Sequence, residues 1–537
     1  MNSGRVLFHV IRADFLERVR RQGFLITLGA TLWAAYIFLP PNGAKYVTLQ
    51  VAHHRGIYGS AWIGAAVSLL AGPFLSLIGF YLVKNTIERD RLTGVGQILA
   101  TTPLPKWVYT LGKTLSNFAV LATLTALLGV GAIGMQLLRA EDMHLDLVAL
   151  FTPLVVVTLP ALLVVSALAV LFEAVRWLRG GLGNIVYFFV WALLMVATQP
   201  HRMTEISGIG DFVGASMLLP SILHATAAAF PGIDPNTAPL NIGFNFTPSI
   251  SGRHLELFSW TGPHWTVTVL ALRLVWVGLG LLLAFAASIP FDRFDTAAAS
   301  PRARKAIAPA LPQAPAQGAL YAHEAQSVAR LPVAARSPSL WPLLRGELLL
   351  MLGGLPRVWG VLALGLAVAC CFAPLRVTRE ILLPIAWLWP ALAWSSMGAR
   401  EQLHHTQALM FSSPRPLARQ LAACWAAGAL LAITIGIGAG ARLLASGDFT
   451  AALAWLIGAL FIPTLALACG VWTGNGRLFE ITFLMLWYVG PINHAPPLDF
   501  AATRPEALTA GAPLTFAIAT LALGALAVLG RLRGLRR

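Results

Sequence analysis

Residues 84–114, KNTIERDRLTGVGQILATTPLPKWVYTLGKT, place charges of both signs, two prolines and a Gly-Lys-Thr within one short stretch. Three kinds of chemistry could be built from them: phosphate binding, movement of a proton or ion, and docking of a partner. Phosphate binding needs G-x-x-x-x-G-K-[ST], in which backbone N–H groups cradle phosphate oxygens and the lysine reaches them. Gly112-Lys113-Thr114 supplies the end of that motif, but the earlier glycine would fall at Trp107. The segment also leads into an apolar run, where the motif requires a strand followed by a soluble helix. The expectation is that this chain has no ATP site or cofactor of its own, and that Lys113 is a basic residue at a membrane edge, reaching toward headgroups.

A proton or ion path needs ionisable groups deep in the bilayer. Arg273 falls in the outer part of an apolar run, and Glu173 and Glu480 fall near the ends of theirs, so structural roles are expected. His53-His54 and His404-His405 are adjacent pairs, and neighbours in sequence do not share a helix face. They read as surface histidines with no metal. Cys370, Cys371, Cys424 and Cys469 all lie in apolar runs and form neither a disulfide pattern nor a metal quartet.

Docking fits the opening stretch best. Ile87, Leu92, Val95, Ile98 and Leu99 recur at roughly helical spacing, while Glu88, Arg89, Asp90, Arg91 and Gln97 fill much of the remainder. The pattern predicts one amphipathic helix from Thr86 to Leu99 with an apolar stripe and a charged face. Thr101-Thr102-Pro103 ends it, because proline disfavours helical geometry in the residue before it. The bland alternative is a helix resting on lipid.

The elements that must hold this stretch are apolar. The 537 residues are 57% hydrophobic and 11% charged, against about 25% charged in soluble domains. Runs near the 20 residues that a spanning helix needs recur along the chain. Twelve spans are predicted at 22–40, 59–83, 107–138, 147–171, 183–199, 265–290, 357–375, 381–397, 418–444, 451–471, 479–491 and 512–530. The fold class is therefore an all-α polytopic membrane protein. The net charge of +16 is read by position, not as a nucleic-acid footprint. With both termini cytoplasmic, about 28 of the 38 Lys and Arg lie on the cytoplasmic side. The N-terminus lacks the layout of a cleaved signal, so its first apolar run is expected to remain as an anchor.

Residues 295–339, rich in Ala, Pro, Gln and Arg, read as a cytoplasmic linker between residues 1–294 and 340–537, each with six spans. The two halves share a repeat. RDRLTGVGQILATTPLP at 89–105 and REQLHHTQALMFSSPRP at 400–416 both run Arg, acid, any residue, Leu, ten residues, Pro-x-Pro. Both follow the second span of their half. TLPALLVVSALAV at 158–170 and FIPTLALACGVWT at 461–473 form a weaker echo in the fourth spans. Each half also opens on a basic amphipathic segment of the kind that lies in a membrane interface.

The segment IERDRLTGVGQILATTPLPKWVYTLGK resembles ABC-type exporter permeases of the type 2 superfamily, in which an E-R-[ED]-[RK]-x-T/G…L-x-[AT]-[TS]-P stretch precedes a Gly-Lys and the third span. The matching residues are Glu88, Arg89, Asp90, Arg91, Thr93, Gly94, Leu99, Ala100, Thr101, Thr102, Pro103, Gly112 and Lys113. The second half keeps Arg400, Glu401, Leu403 and Pro414 but lacks the Gly-Lys. The resemblance implies six spans per half, an interfacial helix, and a coupling helix between spans two and three. It also implies two cytoplasmic ATPase subunits as partners, gripping Glu88, Arg89, Asp90, Arg91, Leu99 and Pro103 in one half and Arg400, Glu401, Leu403 and Pro414 in the other. The substrate stays open, export is the direction implied, and the inner membrane of a bacterium is the expected location, with membrane lipids around it.

Residues 200–264 form one long outer loop of apolar, aromatic and glycine residues. It could shape an exit for an amphipathic substrate or serve as a structural lid. Two other classes stay open: a gradient-driven secondary transporter of twelve spans, which should show buried charges, and a polytopic membrane enzyme built on acids such as Glu141, Asp142 and Asp146.

Overall fold

The computed structural model describes residues 3–44, 46–197, 211–245, 255–294, 340–353, 355, 357–404, 406–412, 417–493 and 495–536. The expected linker 295–339, His405, Pro414 and the stretches 200–210 and 246–254 of the expected outer loop lie outside the described residues. The chain divides into two compact units, residues 1–300 and 301–537, and the boundary falls within that expected linker.

Among the described residues, seven helices are long and apolar enough to cross a membrane. They are Ser60–Leu92, Lys106–Arg139, Leu147–Ala174, Val267–Ala286, Leu417–Ala445, Phe449–Thr473 and Ala512–Gly534. The protein is thus helical and membrane-embedded. Three other expected spans, near 22–40, 183–199 and 357–375, are helices of 17, 17 and 16 residues. At 1.5 Å per residue they reach about 26 Å, short of a hydrocarbon core of about 30 Å. The last two are interrupted. Segment 381–397 breaks between Leu383–Leu388 and Ala391–Ser395, where Pro390 has no N–H to continue the ladder. Segment 479–491 is Arg477–Trp487 followed by a wide π-turn, Tyr488–Ile492, that contains Pro491.

In the first unit, helix Ser3–Val19 lies along Lys106–Arg139, which also packs on Gln22–Phe38, Ser60–Val83 and Leu159–Ala174. The run Leu147–Ala174 carries a wide turn, Leu154–Thr158, just before Pro160. Arg273 uses it: its guanidinium donates to the carbonyl of Val157 at 3.1 Å and to that of Asp211 at 2.8 Å. Arg273 is therefore a buried clasp between a span and the loop that follows residue 210.

A small sheet accompanies the helices of this unit. Val47–Val51, His54–Gly56, Leu240–Asn245 and Glu256–Phe258 form a four-stranded sheet in the order third, first, second, fourth. The first strand is antiparallel to the second and third, and the second is parallel to the fourth. Val47–Val51 reads V-T-L-Q-V, an apolar-polar alternation over five residues, yet every one of its residues is buried, the polar ones included. Leu218, Ile222, Phe258 and Trp260 from the expected outer loop join the core around Trp62 and Ile63. The described part of that loop is thus built into the unit.

The second unit centres on Ala422–Ala445 and Phe449–Thr473, with Ala512–Arg536 along the latter. Trp387 and Trp394 are buried against it, their indole N–H groups donating to the carbonyls of Ala432 and Gly428, both at 3.1 Å. All four cysteines are unpaired, and only Cys371 is exposed.

Candidate functional site

The stretch predicted as one helix from Thr86 to Leu99 is two. Thr86–Leu92 ends at Thr93, Gly94 turns with φ +76°, and Val95–Thr101 follows. A left-handed residue after a helix favours glycine, which meets no Cβ clash there. Thr102 is extended ahead of Pro103, as proline requires.

A helix of seven residues cannot hold itself together in water. This one is fastened at its N-terminus by a single carboxylate. Glu173, at the end of the Leu159–Ala174 helix and 1% exposed, accepts from the backbone N–H groups of Asn85, Thr86, Ile87 and Glu88. The last three lie at 3.0, 2.7 and 3.1 Å. The first N–H groups of a helix have no partner within it, and an anion there is favoured by the helix dipole.

The charged side chains of the same helix turn inward. Arg89 donates to Asp14 at 2.5 Å and pairs with Glu17 at 3.1 Å. Asp14 also receives Arg18 at 2.9 Å, Lys113 at 2.7 Å and Ser116 at 2.6 Å. Asp90 is buried and receives Lys113 at 2.7 Å and the Tyr109 hydroxyl at 2.8 Å. Arg91 reaches Asp292, which Arg179 also holds at 2.8 Å. Among the described residues Glu88 pairs with Arg91 alone, at 3.1 Å, and it is the most exposed of the four charges.

Lys113 therefore does not extend toward headgroups; it is 4% exposed and bridges two aspartates. Gly112 makes this possible, since a Cβ there would come within 2.8 Å of Val10 Cγ1. The Gly-Lys pair lets one helix lie close and then pins it. Burial alone would raise the Asp14 pKa, but Lys113 and Arg18 outweigh it and hold this carboxyl well below the usual aspartate range. Asp292 is likewise lowered, with burial opposed by Arg179 and Arg91.

With the charges turned in, apolar side chains face out. Leu92 and Ile98 are 79% and 67% exposed, and Val95 is exposed beside them. Ile87 and Leu99 instead pack with Tyr109, Phe291 and Phe294. Pro103 is exposed at the end of the pair. The charged face that the pattern predicts is thus turned inward at Arg89 and Asp90, because the surrounding bundle supplies counter-charges that a lone amphipathic helix lacks.

The second unit repeats the construction at matching positions. Arg400 donates to Glu347 at 3.0 Å, as Arg89 does to Asp14, and both acids sit two residues after an arginine in the opening helix of their half. Glu401 receives Gln420 at 2.5 Å, as Asp90 receives Tyr109, and both partners lie nineteen residues on. Cys424 stands where the first unit has Lys113, and Arg531 from the last helix supplies the cation to Glu401 at 3.2 Å. Arg531 holds the Glu401 carboxyl low against the burial that would raise it, whereas burial prevails at Glu347 and raises it. Leu403 is exposed.

The residues that sequence reasoning missed are the inner partners: Asp14, Glu347, Asp292, Arg531 and the capping role of Glu173. One signal was available, the shared Arg-x-acid of Arg12–Asp14 and Arg345–Glu347. No known protein family, no curated protein and no solved structure matches this chain.

Proposed function

We propose that this chain is the membrane-embedded permease subunit of an ATP-driven exporter of the ABC type, with the hydrolysis carried by two copies of a separate cytoplasmic ATPase. The observation that carries the reading is an outward apolar patch, Leu92, Val95 and Ile98, on a short helix pair fastened to three other segments by ion pairs, buried at Asp14 and Asp90 and half-buried at Asp292. Exposed apolar side chains on a rigid base suit a protein partner. The sequence resemblance over residues 84–114 names the class of partner. The Arg-acid repeat at 400–401 supports a second contact, through Leu403, so one chain would present two unequal contact points. On this reading the protein sits in the inner membrane of a bacterium, needs no cofactor of its own, and does not bind nucleic acid.

The test is co-purification of a soluble ATPase with the tagged chain from its own host in mild detergent. Leu92→Asn, Val95→Asn and Ile98→Asn together are expected to lose the ATPase while leaving the chain folded. Arg89 and Asp90 are poor probes, because their loss damages the fold first. A wild-type preparation without any ATPase, and transport driven by an ion gradient, would sink the permease reading in favour of a secondary transporter.

A further inference from the structure

Glu173 contributes something the ion pairs do not. Those pairs hold the helix Thr86–Leu92 by its flank, through flexible side chains. Glu173 holds it by its backbone, at four successive N–H groups, and the acid itself belongs to the last turn of a spanning helix, Leu147–Ala174. The Thr86 hydroxyl adds a fifth contact at 3.4 Å. A shift of the short helix cannot occur without either moving the end of the spanning helix or parting four backbone donors, two of them buried, from their acceptor.

Continuing the fourth-span echo from Pro160 and Pro463 places Gly476 where the first unit has Glu173. There the backbone passes so close to the carbonyl of Ser395 that a Cβ would collide with it.

We propose that Glu173 is a positioning residue for energy transfer, passing displacement of the helix pair 86–101 to the spanning helix Leu147–Ala174. The proposal rests on the permease reading. Its test uses the full chain with its co-purified ATPase, in lipid nanodiscs, with Cys371 replaced by serine. Spin labels go on Leu138 and Val148, which are exposed at the far ends of the helices Lys106–Arg139 and Leu147–Ala174. Pulsed electron paramagnetic resonance then reads the distance between them with and without ATP and vanadate. The wild type is expected to change distance on trapping. E173Q, which keeps one acceptor oxygen but loses the charge, is expected to lose at least about half of that change while the bound ATPase still hydrolyses ATP. E173D keeps the charge on a shorter arm and is expected to restore part of it; it also carries the test if E173Q does not assemble.

A merely structural cap would lower thermal stability in E173Q and leave the distance change intact, which overturns the transmission role alone. A wild-type distance that does not respond although the ATPase is bound overturns that role as well. Absence of any ATPase from the wild-type preparation overturns the permease reading and the transmission role with it.

Discussion

Replacing Asp14 by asparagine tests whether the inward charges hold the first unit together. Asp14 is the shared acceptor of Arg18, Arg89, Lys113 and Ser116, all within 2.9 Å, and its side chain is 4% exposed. Asparagine fits the space but removes the charge, leaving three cations in one buried cluster. Lys113 keeps Asp90, and Arg89 keeps Glu17 at 3.1 Å, so the loss is not total. Removing one member of a buried pair costs about 3–5 kcal/mol, mostly because the other charge is stranded. The retained partners place D14N near the lower end, about 3 kcal/mol. Sodium dodecyl sulfate titration in mixed micelles, followed by tryptophan fluorescence, measures the shift. Arg21→Ala is the control: it breaks the half-exposed pair with Glu17 and should change stability by less than about 0.5 kcal/mol.

The pH dependence supplies a second arm. The folded Asp14 carboxyl lies below its unfolded value. Its contribution is therefore complete above the unfolded aspartate pKa of about 3.9, and is lost as pH falls toward the folded value. Wild type should keep its advantage over D14N from neutral pH down to about pH 4 and lose it only below that. A D14N shift under about 0.5 kcal/mol, or an advantage that vanishes between about pH 6 and 8, would refute the assignment of Asp14 as the hub.

Three further outcomes follow from the same geometry. Gly112→Leu should push Val10 and its helix off Lys106–Arg139, at a cost of about 1–3 kcal/mol, and raise hydrogen exchange across Ser3–Val19. In the second unit, a double-mutant cycle on Glu401 and Arg531 should give a coupling of at least about 1 kcal/mol at neutral pH, where the lowered Glu401 carboxyl is ionised. Gly214→Ala meets both a φ of +80° and the Arg273 guanidinium, so it should destabilise by about 1–3 kcal/mol and loosen the loop that Arg273 clasps, read by proteolysis near residue 211.

What could be read from the chain was local. The apolar runs marked helices, Thr101-Thr102-Pro103 marked the end of the charged segment, and the Arg-acid-x-Leu repeat marked positions that make equivalent pairings in the two units. What could not be read depended on distant partners. Strand Val47–Val51 pairs with Leu240–Asn245, nearly two hundred residues away; its V-T-L-Q-V alternation is legible but spans only five residues and does not name that partner. The break at Gly94 is visible as a glycine, but the helical spacing around it points the other way. The direction of Arg89 and Asp90 is hidden because an amphipathic pattern says only that two faces differ. It does not say which face meets water, and Asp14, which decides the matter here, lies 75 residues upstream.

That inversion has a physical logic. A seven-residue helix gains too little from its own hydrogen bonds to persist, so its stability must come from outside. Apolar packing is non-directional and would leave it free to slide. Ion pairs with fixed donors and a capped N-terminus specify one position and one orientation, at the cost of burying charge. The chain accepts that cost twice, at Arg89–Asp14 and at Arg400–Glu347, with unlike residues around each pair. With Arg89 and Asp90 turned inward, Leu92, Val95 and Ile98 are the large apolar side chains that face out, beside the uncharged Thr93, Gln97, Thr101 and Pro103. A surface so divided, rigid beneath and adhesive above, favours a partner that binds by shape and apolar contact over one steered by charge. The partner's affinity for this segment should accordingly depend only weakly on salt, because Arg89 and Asp90 are paired inside and the partly exposed Glu88–Arg91 pair is what remains open to screening. A strong fall in co-purification between low and high salt, with the helix pair intact, would mean that Glu88 and Arg91 carry the contact instead.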